Sequence, residues 1–343
     1  MMKELLRELC TLDGVSGYED EVRKYIEQQV KPYADEMTVD SIGNLIVFKK
    51  GEKRRARPMI VCAHMDEVGF LVERITDEGM LRLEAAGGID PRVLIGRKMR
   101  VGEKKIPGVI SLKAIHLTTA EERKVAPPLD KLYIDIGAQS REEASRLVQV
   151  GDPAMFASEF YELGDDCVKA KAIDDRVGCA VMIELLKTDL PFDTYFVFAT
   201  NEEIGSRGAQ VAAQRLRPGC VLALEGTTAA DMPDVPEHKR STCQRKGAAV
   251  SILDRTTVYD RPFREKVLKA ADEEGIRWQY RASANGGTDA RVAAAAAEGG
   301  IAFGIASPTR YIHCACNVVY LPDVDEVLKL AALVIKEAGE LNV

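Results

Sequence analysis

Several things are scarce in this 343-residue chain, and each scarcity excludes a class of protein. No apolar stretch reaches the roughly 20 residues that a transmembrane helix needs. The opening segment, Met1 to Cys10, reads as an amphipathic helix and lacks the continuous apolar core of a secretory leader. A cytoplasmic protein with no membrane partner is therefore expected. Basic residues are not in excess: 47 Lys and Arg face 54 Asp and Glu, for a net charge of -7. A polyanion-binding surface needs clustered positive charge, so no nucleic-acid partner is expected. The single basic run, Lys49 to Arg57, lies between apolar stretches and reads as a solvated connecting loop. The eight cysteines show no repeated spacing, which excludes a disulfide framework and suits a reducing compartment. Cys314-Ala315-Cys316 is a lone C-x-C pair without a second pair, and it reads as structural thiols. There is no internal repeat, and no low-complexity tract beyond Ala293 to Ala297.

What is present is ordinary globular material, 46% hydrophobic and 29% charged, long enough for about two domains. Two helices are expected near the start, separated at Gly14 to Gly17. A strand pair at Met37 to Asp40 and Asn44 to Lys49 follows, then a buried strand at Pro58 to Ala63. From about residue 70 to 165 short β-rich runs alternate with Gly, Pro and Asp turns, as in a small all-β unit. After 165 the pattern is β/α. Helices are expected at Asp175 to Thr188, Gly208 to Arg215, Arg261 to Glu274, Asp289 to Glu298 and Val324 to Glu340. Strands are expected at Tyr195 to Thr200, Val221 to Leu224, Ile276 to Ala282 and Ile301 to Ile305. Alternating strands and helices imply an α/β layer. The reading is a discontinuous α/β domain, residues 1–69 and 166–343, with a β-rich insertion at 70–165.

Five segments place acids or imidazoles at strand ends, where open α/β sheets carry their sites. In Ala63-His64-Met65-Asp66 the two polar residues are two apart and share a face of a strand. A carboxylate there can orient a metal-ligating imidazole through its other nitrogen. Asp174-Asp175 precedes a helix; Asp175 can serve as its cap, which leaves Asp174 free to ligate. Glu202-Glu203 follows a buried strand, where two like charges are costly unless a cation compensates. Glu225 ends the run Val221 to Leu224, and His313 closes the fifth segment. With four histidines in the chain, one in each of two such segments is informative. Two imidazoles and three carboxylates suit a pair of Zn or similar divalent ions, and Glu202, beside a ligand, suits a general base.

These motifs make the chain resemble the M42 metallo-aminopeptidases, a family that includes glutamyl and deblocking enzymes and some members labelled endoglucanases. The resemblance spans nearly the whole chain. It rests on His64-x-Asp66-Glu67-Val68-Gly69, Gly87-Gly88-Ile89-Asp90-Pro91, Leu132 to Gly137, Asp174-Asp175-Arg176, Glu202-Glu203-x-Gly205, Gly287-Thr288-Asp289 and Arg310 to His313. It implies a three-layer α/β/α metallopeptidase fold with an inserted barrel-like dimerisation domain, and dimers that assemble into a tetrahedral dodecamer. It also implies two divalent cations, Zn first and Co or Mn as alternatives. His64 and Glu225 would hold one, Glu203 and His313 the other, with Asp174 bridging and its peptide to Asp175 cis. Asp66 would orient His64, and Glu202 would be the base. Two departures stand out. The family commonly has Asp where this chain has Glu225, and small polar residues or proline where it has Cys314-Ala315-Cys316.

The expected reaction is removal of the N-terminal residue from short peptides by a hydroxide generated between two metals, with Glu202 shuttling the proton. Two rivals stay open: a related dinuclear amidohydrolase or deacylase, and a metal-stabilised assembly with little catalysis. A glycosidase would leave the two histidines unexplained.

Overall fold

A computed structural model describes residues 2–282 and 286–341. Among these described residues, eleven strands form one mixed sheet and a separate set closes a barrel. At the centre of the sheet Thr194–Ala199, Met59–His64, Cys220–Thr228 and Ile301–Arg310 lie side by side and parallel. Parallel strands are covered on both faces, so their sequences run apolar without alternation. Every residue of Met59–His64 is buried accordingly. Met59, Val61 and Ala63 join the core beneath helices Ile173–Leu186 and Leu321–Ala338. Ile60 and Cys62 join a second core beneath helices Arg207–Leu216 and Ala290–Ala294. The result is the three-layer α/β/α arrangement expected from the sequence.

Antiparallel strands flank this centre. Leu45–Lys49 and Glu36–Val39 extend one side; Asn317–Tyr320, Cys167–Ala170 and Tyr161–Leu163 extend the other. Ala248–Ser251 also pairs with Ile301–Arg310 and carries Trp278–Arg281 at its outer edge. The barrel runs Gly69–Ile75, Leu81–Ala86, Tyr133–Asp135, Ile106–Ser111, Lys98–Val101 and Pro153–Phe156, back to the first. It has its own core, in which the Phe70 and Phe156 rings meet edge to face at 6.0 Å. Among the described residues no helix is long and apolar enough to cross a membrane.

Barrel and sheet are joined by charge. Arg100 of the barrel grips the Asp13 carboxylate through Nε at 2.9 Å and through Nη2. Behind this pair, Lys171 Nζ lies 2.5 Å from Glu67 Oε1 and donates to the Leu12 carbonyl at 2.6 Å. Arg176 donates to the Met65 carbonyl at 2.8 Å and to that of Leu9 at 2.5 Å. Lys171, Arg176 and Glu67 are all buried, so each charge depends on the others for compensation.

Three elements differ from expectation. The alanine-rich helix is short, Ala290–Ala294, because the chain turns out at Ala297 (φ +55) and at Gly299 (φ +81). The strand expected to stop at Ile305 continues to Arg310 through Pro308. It tolerates proline there because pairing with Ala248–Ser251 ends at Ala306 and pairing with Asn317–Tyr320 begins at Thr309. The basic run is not simply solvated. Arg57 donates to the carbonyls of Pro218 and Gly299, Arg55 to those of Ala338 and Leu341, and Arg55 stacks 4.8 Å from the Phe192 ring centre.

Candidate active site

The parallel register brings the strand-end residues level. Ala199 pairs with His64, and Ala223 pairs with Cys62, two residues short of Glu225 and His64 alike. Asp174 enters from the kinked start of Ile173–Leu186, where it and Asp175 have non-helical dihedrals and the peptide bond between them is cis. Gly226 makes this approach possible: a Cβ there would sit 2.9 Å from the Asp174 Cα. Its N–H donates to Asp174 Oδ1 at 3.2 Å. Asp175 acts as the cap, accepting the Gly178 N–H at 2.9 Å and the His64 N–H at 3.3 Å.

The five expected ligands converge. His64 Nε2 lies 3.6 Å from Asp174 Oδ1 and 3.6 Å from Glu225 Oε2. His313 Nε2 lies 3.5 Å from Asp174 Oδ2 and 3.5 Å from Glu203 Oε2. Two ligand groups result, His64 with Asp174 and Glu225, and Asp174 with Glu203 and His313; within each, the donor atoms lie within 4.8 Å of one another. Glu202 faces the same space, its Oε2 3.9 Å from His64 Nε2.

Both imidazoles are held through Nδ1 by oxygen acceptors. His64 Nδ1 is 3.1 Å from the Asp66 carbonyl and 3.4 Å from its Oδ1. His313 Nδ1 is 2.8 Å from the Gly88 carbonyl. Acceptors at Nδ1 fix the proton there and turn the Nε2 lone pair toward the carboxylates. Facing carboxylate oxygens, that lone pair must be taken up either by a proton or by a cation shared with them. The donor chemistry therefore fits divalent metal ions.

Charge balance points the same way. Burial raises the Glu203 carboxyl to about 8 even against the attraction of His313, with Asp174 adding to the rise. Glu202 is raised by burial and by the Asp66 and Asp174 charges, and Glu225 well above the usual range by burial and Asp175. Burial lowers His313, but Asp174 and Glu203 outweigh it and hold the imidazole at about 10. Asp174 lies below the ordinary range because His313 and His64 overcome the cost of its burial. So many buried acids against two imidazoles call for added positive charge.

Further residues belong to the site without having been singled out for it in the sequence. The Asp66 carboxylate accepts the Ser16 hydroxyl at 2.6 Å and the backbone N–H groups of Glu202 and Glu203 at 3.0 and 3.1 Å. Gly87 (φ +91) presses on Val68, where a Cβ would come within 2.7 Å of Cγ1, and this turn presents the Gly88 carbonyl to His313. Asp289 is buried, its N–H 3.4 Å from Glu225 Oε1, and its carboxylate makes no hydrogen bond of normal geometry; burial and the Glu202 charge raise its carboxyl to about 8, against a small opposing pull from the Ser206 hydroxyl. Its motif, Gly287-Thr288-Asp289, is legible in the sequence, but no role at the site attaches to it there. Cys314 turns its thiol to the Tyr311 carbonyl at 3.0 Å, and Cys316 meets Arg97 at 3.6 Å.

The cluster floors a cleft of about 1030 Å³. A family model described as M42 glutamyl aminopeptidase matches residues 43–330. The lysyl aminopeptidase of Pyrococcus furiosus is 32% identical over 351 residues, covering 99% of this chain and 98% of that protein. An aminopeptidase from the archaeon Desulfurococcus kamchatkensis superposes with a TM-score of 0.93 at 34% identity, covering 98% of this chain and 95% of that one. The TET1 peptidase of Pyrococcus horikoshii, which can assemble into a tetrahedron or a large octahedral shell, superposes at 0.86 with 34% identity, covering 98% and 99%.

Proposed function

Because this chain belongs to the M42 glutamyl aminopeptidase family of metal-dependent peptidases, we propose that it removes N-terminal residues from short peptides with two divalent cations. The observation that carries this reading is the Asp174 carboxylate between two imidazoles, one oxygen 3.6 Å from His64 Nε2 and the other 3.5 Å from His313 Nε2. Asp174 would be shared, with His64 and Glu225 completing one site and Glu203 and His313 the other. Zn suits this mixed nitrogen and oxygen set, and Co or Mn would also be accepted. Bound there, the cations would supply Lewis acidity, polarising the scissile carbonyl and lowering the pKa of water.

The chain's own residues would do the rest. Glu202 would take the proton of the attacking water and return it to the leaving amine. Burial raises its pKa, which suits a group that must act as base and then as acid near neutral pH. Its backbone N–H is tied to Asp66, and the Ser206 hydroxyl lies 3.3 Å from its Oε1. Asp66 would orient His64 through both its carbonyl and its carboxylate. The free α-amine of the peptide would be read among these acids, which separates this activity from that of a deacylase.

The barrel is our choice for self-association. Ile115 and Leu117, in the connection between barrel strands, are 72% and 62% exposed. Dimers joined there could build a closed shell, a dodecamer, in the cytoplasm. The decisive experiment is Glu202→Gln. Metal content should stay at the wild-type value while turnover of leucyl-p-nitroanilide falls by about 10²–10⁴-fold. Wild-type activity in that variant would refute the assignment, and faster hydrolysis of N-acetyl-leucine amides than of free-amine substrates would favour the deacylase.

A further inference from the structure

The proposed base stands in a turn just beyond strand Thr194–Ala199, whose last residue lies beside His64. The next four backbone N–H groups all go to side-chain oxygens. Asn44 Oδ1 accepts that of Thr200 at 3.0 Å, Glu19 Oε1 that of Asn201 at 3.0 Å, and Asp66 those of Glu202 and Glu203. Without such acceptors these donors would be left unpaired at a place water reaches poorly, which is costly. The carbonyls are tied on the other side. Thr200 accepts the Gly208 N–H at 2.9 Å, Asn201 that of Arg207 at 3.1 Å and Glu202 that of Ser206 at 2.9 Å.

Glu19 comes from far away in the chain. It lies between helices Met2–Thr11 and Asp20–Val30, yet it is only 4% exposed. Its side chain is not spent on the helix it precedes, where it makes no capping hydrogen bond. Instead the oxygen that holds Asn201 also accepts the Gly17 N–H at 2.9 Å. One atom thus ties the turn between the two helices to the residue before Glu202. The same turn reaches the site twice more, through the Ser16 hydroxyl on Asp66 and the Gly14 N–H on Glu67 Oε1 at 3.1 Å. Asn201 has φ +56, in the left-handed region that asparagine tolerates but that still costs energy. Released from Glu19, it is the joint about which Glu202 would move.

We propose that Glu19 is a positioning residue for Glu202, acting through the Asn201 N–H. This rests on the aminopeptidase reading and adds to it a part played by the N-terminal turn. Burial and the Asp66 charge push the Glu19 carboxyl up to about 7, against the pull of the N–H groups it accepts. Near neutral pH it is therefore part acid and part carboxylate, so an uncharged acceptor of the same reach can stand in for it.

The test uses the metal-loaded full chain and leucyl-p-nitroanilide, well below the unfolding temperature of every variant. Glu19→Ala should lower kcat by about 10–100-fold, the cost of a displaced reacting group, with KM and metal content as in wild type. Glu19→Asp keeps the charge but falls short of Asn201, and it should lose activity too. Glu19→Gln keeps the reach and an acceptor oxygen, and it should recover most of the activity. If the alanine variant does not fold, the Asp and Gln variants carry the comparison. Glu21→Ala removes an acid from the first turn of the same helix, where it meets Lys105 at 2.8 Å, and should leave kcat unchanged. Amide hydrogen exchange gives a readout that needs no turnover: residues 200–203 should exchange faster in the Ala and Asp variants and stay protected in the Gln variant. Wild-type kcat in both the Ala and Asp variants, a Gln variant no better than Asp, or loss of metal from the Ala or Asp variant overturns the proposal. A wild type that turns over no free-amine peptide substrate sinks the aminopeptidase reading instead, and the exchange comparison still decides whether Glu19 holds the turn.

Discussion

Oδ1 of Asp66 accepts the backbone N–H of Glu202 at 3.0 Å, and Oδ2 accepts that of Glu203 at 3.1 Å. One buried carboxylate therefore sets the backbone position of the proposed base and of a proposed ligand, while its other contacts hold His64. In Asp66→Asn the amide NH₂ would face one of these N–H donors and lose the bond. Activity should fall by about 10–100-fold, as is usual when a group supporting a metal ligand is lost. Steady-state kinetics at saturating metal would check this, and a change under twofold would remove Asp66 from the site.

Glu225 can be tested against its shorter homologue. In Glu225→Asp the carboxylate is drawn back along the strand by one methylene, away from a position 3.6 Å from His64 Nε2. The variant should keep two metals per subunit with one bound less tightly. Glu225→Ala should lose that metal. Metal analysis after dialysis against graded chelator separates these outcomes; two tightly held ions in the alanine variant would exclude Glu225 as a ligand.

Removing metal should cost stability as well as activity. The carboxylates of Glu202, Glu203 and Glu225 have pKa values raised by loss of solvent and by neighbouring acids, which bound cations would relieve. A ligand bound at 100 times its Kd stabilises the folded state by about 2.7 kcal/mol. Thermal unfolding should therefore begin at a lower temperature in excess chelator and recover when Zn is added back. No shift in Tm would mean that the cluster binds no cation.

Asp13 gives a pH signature far from this chemistry. Burial pushes its carboxyl up, but Arg100, Lys171 and Lys105 outweigh burial and hold it below the ordinary range. Folding thus lowers this pKa. Its stabilisation is complete above the unfolded-state value of about 3.9 and is lost as pH falls through the folded value. Asp13→Asn should be less stable than wild type by about 1–3 kcal/mol at neutral pH, the worth of charge-assisted hydrogen bonds. That gap should narrow below about pH 4, where wild type protonates too. Urea unfolding at pH 7 and pH 3 measures it; a gap independent of pH would mean that the Asp13 charge contributes nothing.

Much of the site could be read from the sequence because central parallel strands are written as apolar runs, so a run that ends in His64 or Glu225 marks a strand's carboxyl end. The cap role of Asp175 and the freedom of Asp174 followed from helix chemistry. Contacts between distant segments were not legible. Ser16 meets Asp66 across fifty residues of sequence, and a serine in a glycine-flanked turn has no local mark of that partner. Asn317–Tyr320 and Pro153–Phe156 are each four residues long, too short for an alternation to emerge. Ala290–Ala294 was overextended because alanine's helix propensity says nothing about the turn that follows.

The Gly88 carbonyl that receives His313 Nδ1 comes from the turn just past barrel strand Leu81–Ala86. A transplanted barrel would therefore not be a neutral exchange of parts. A chimera carrying a foreign barrel must reproduce one carbonyl oxygen to within a fraction of an ångström, or its second imidazole would swing loose. Gly87 and Gly88 lie between barrel strands Leu81–Ala86 and Lys98–Val101, so any graft of the barrel must carry this turn over unchanged.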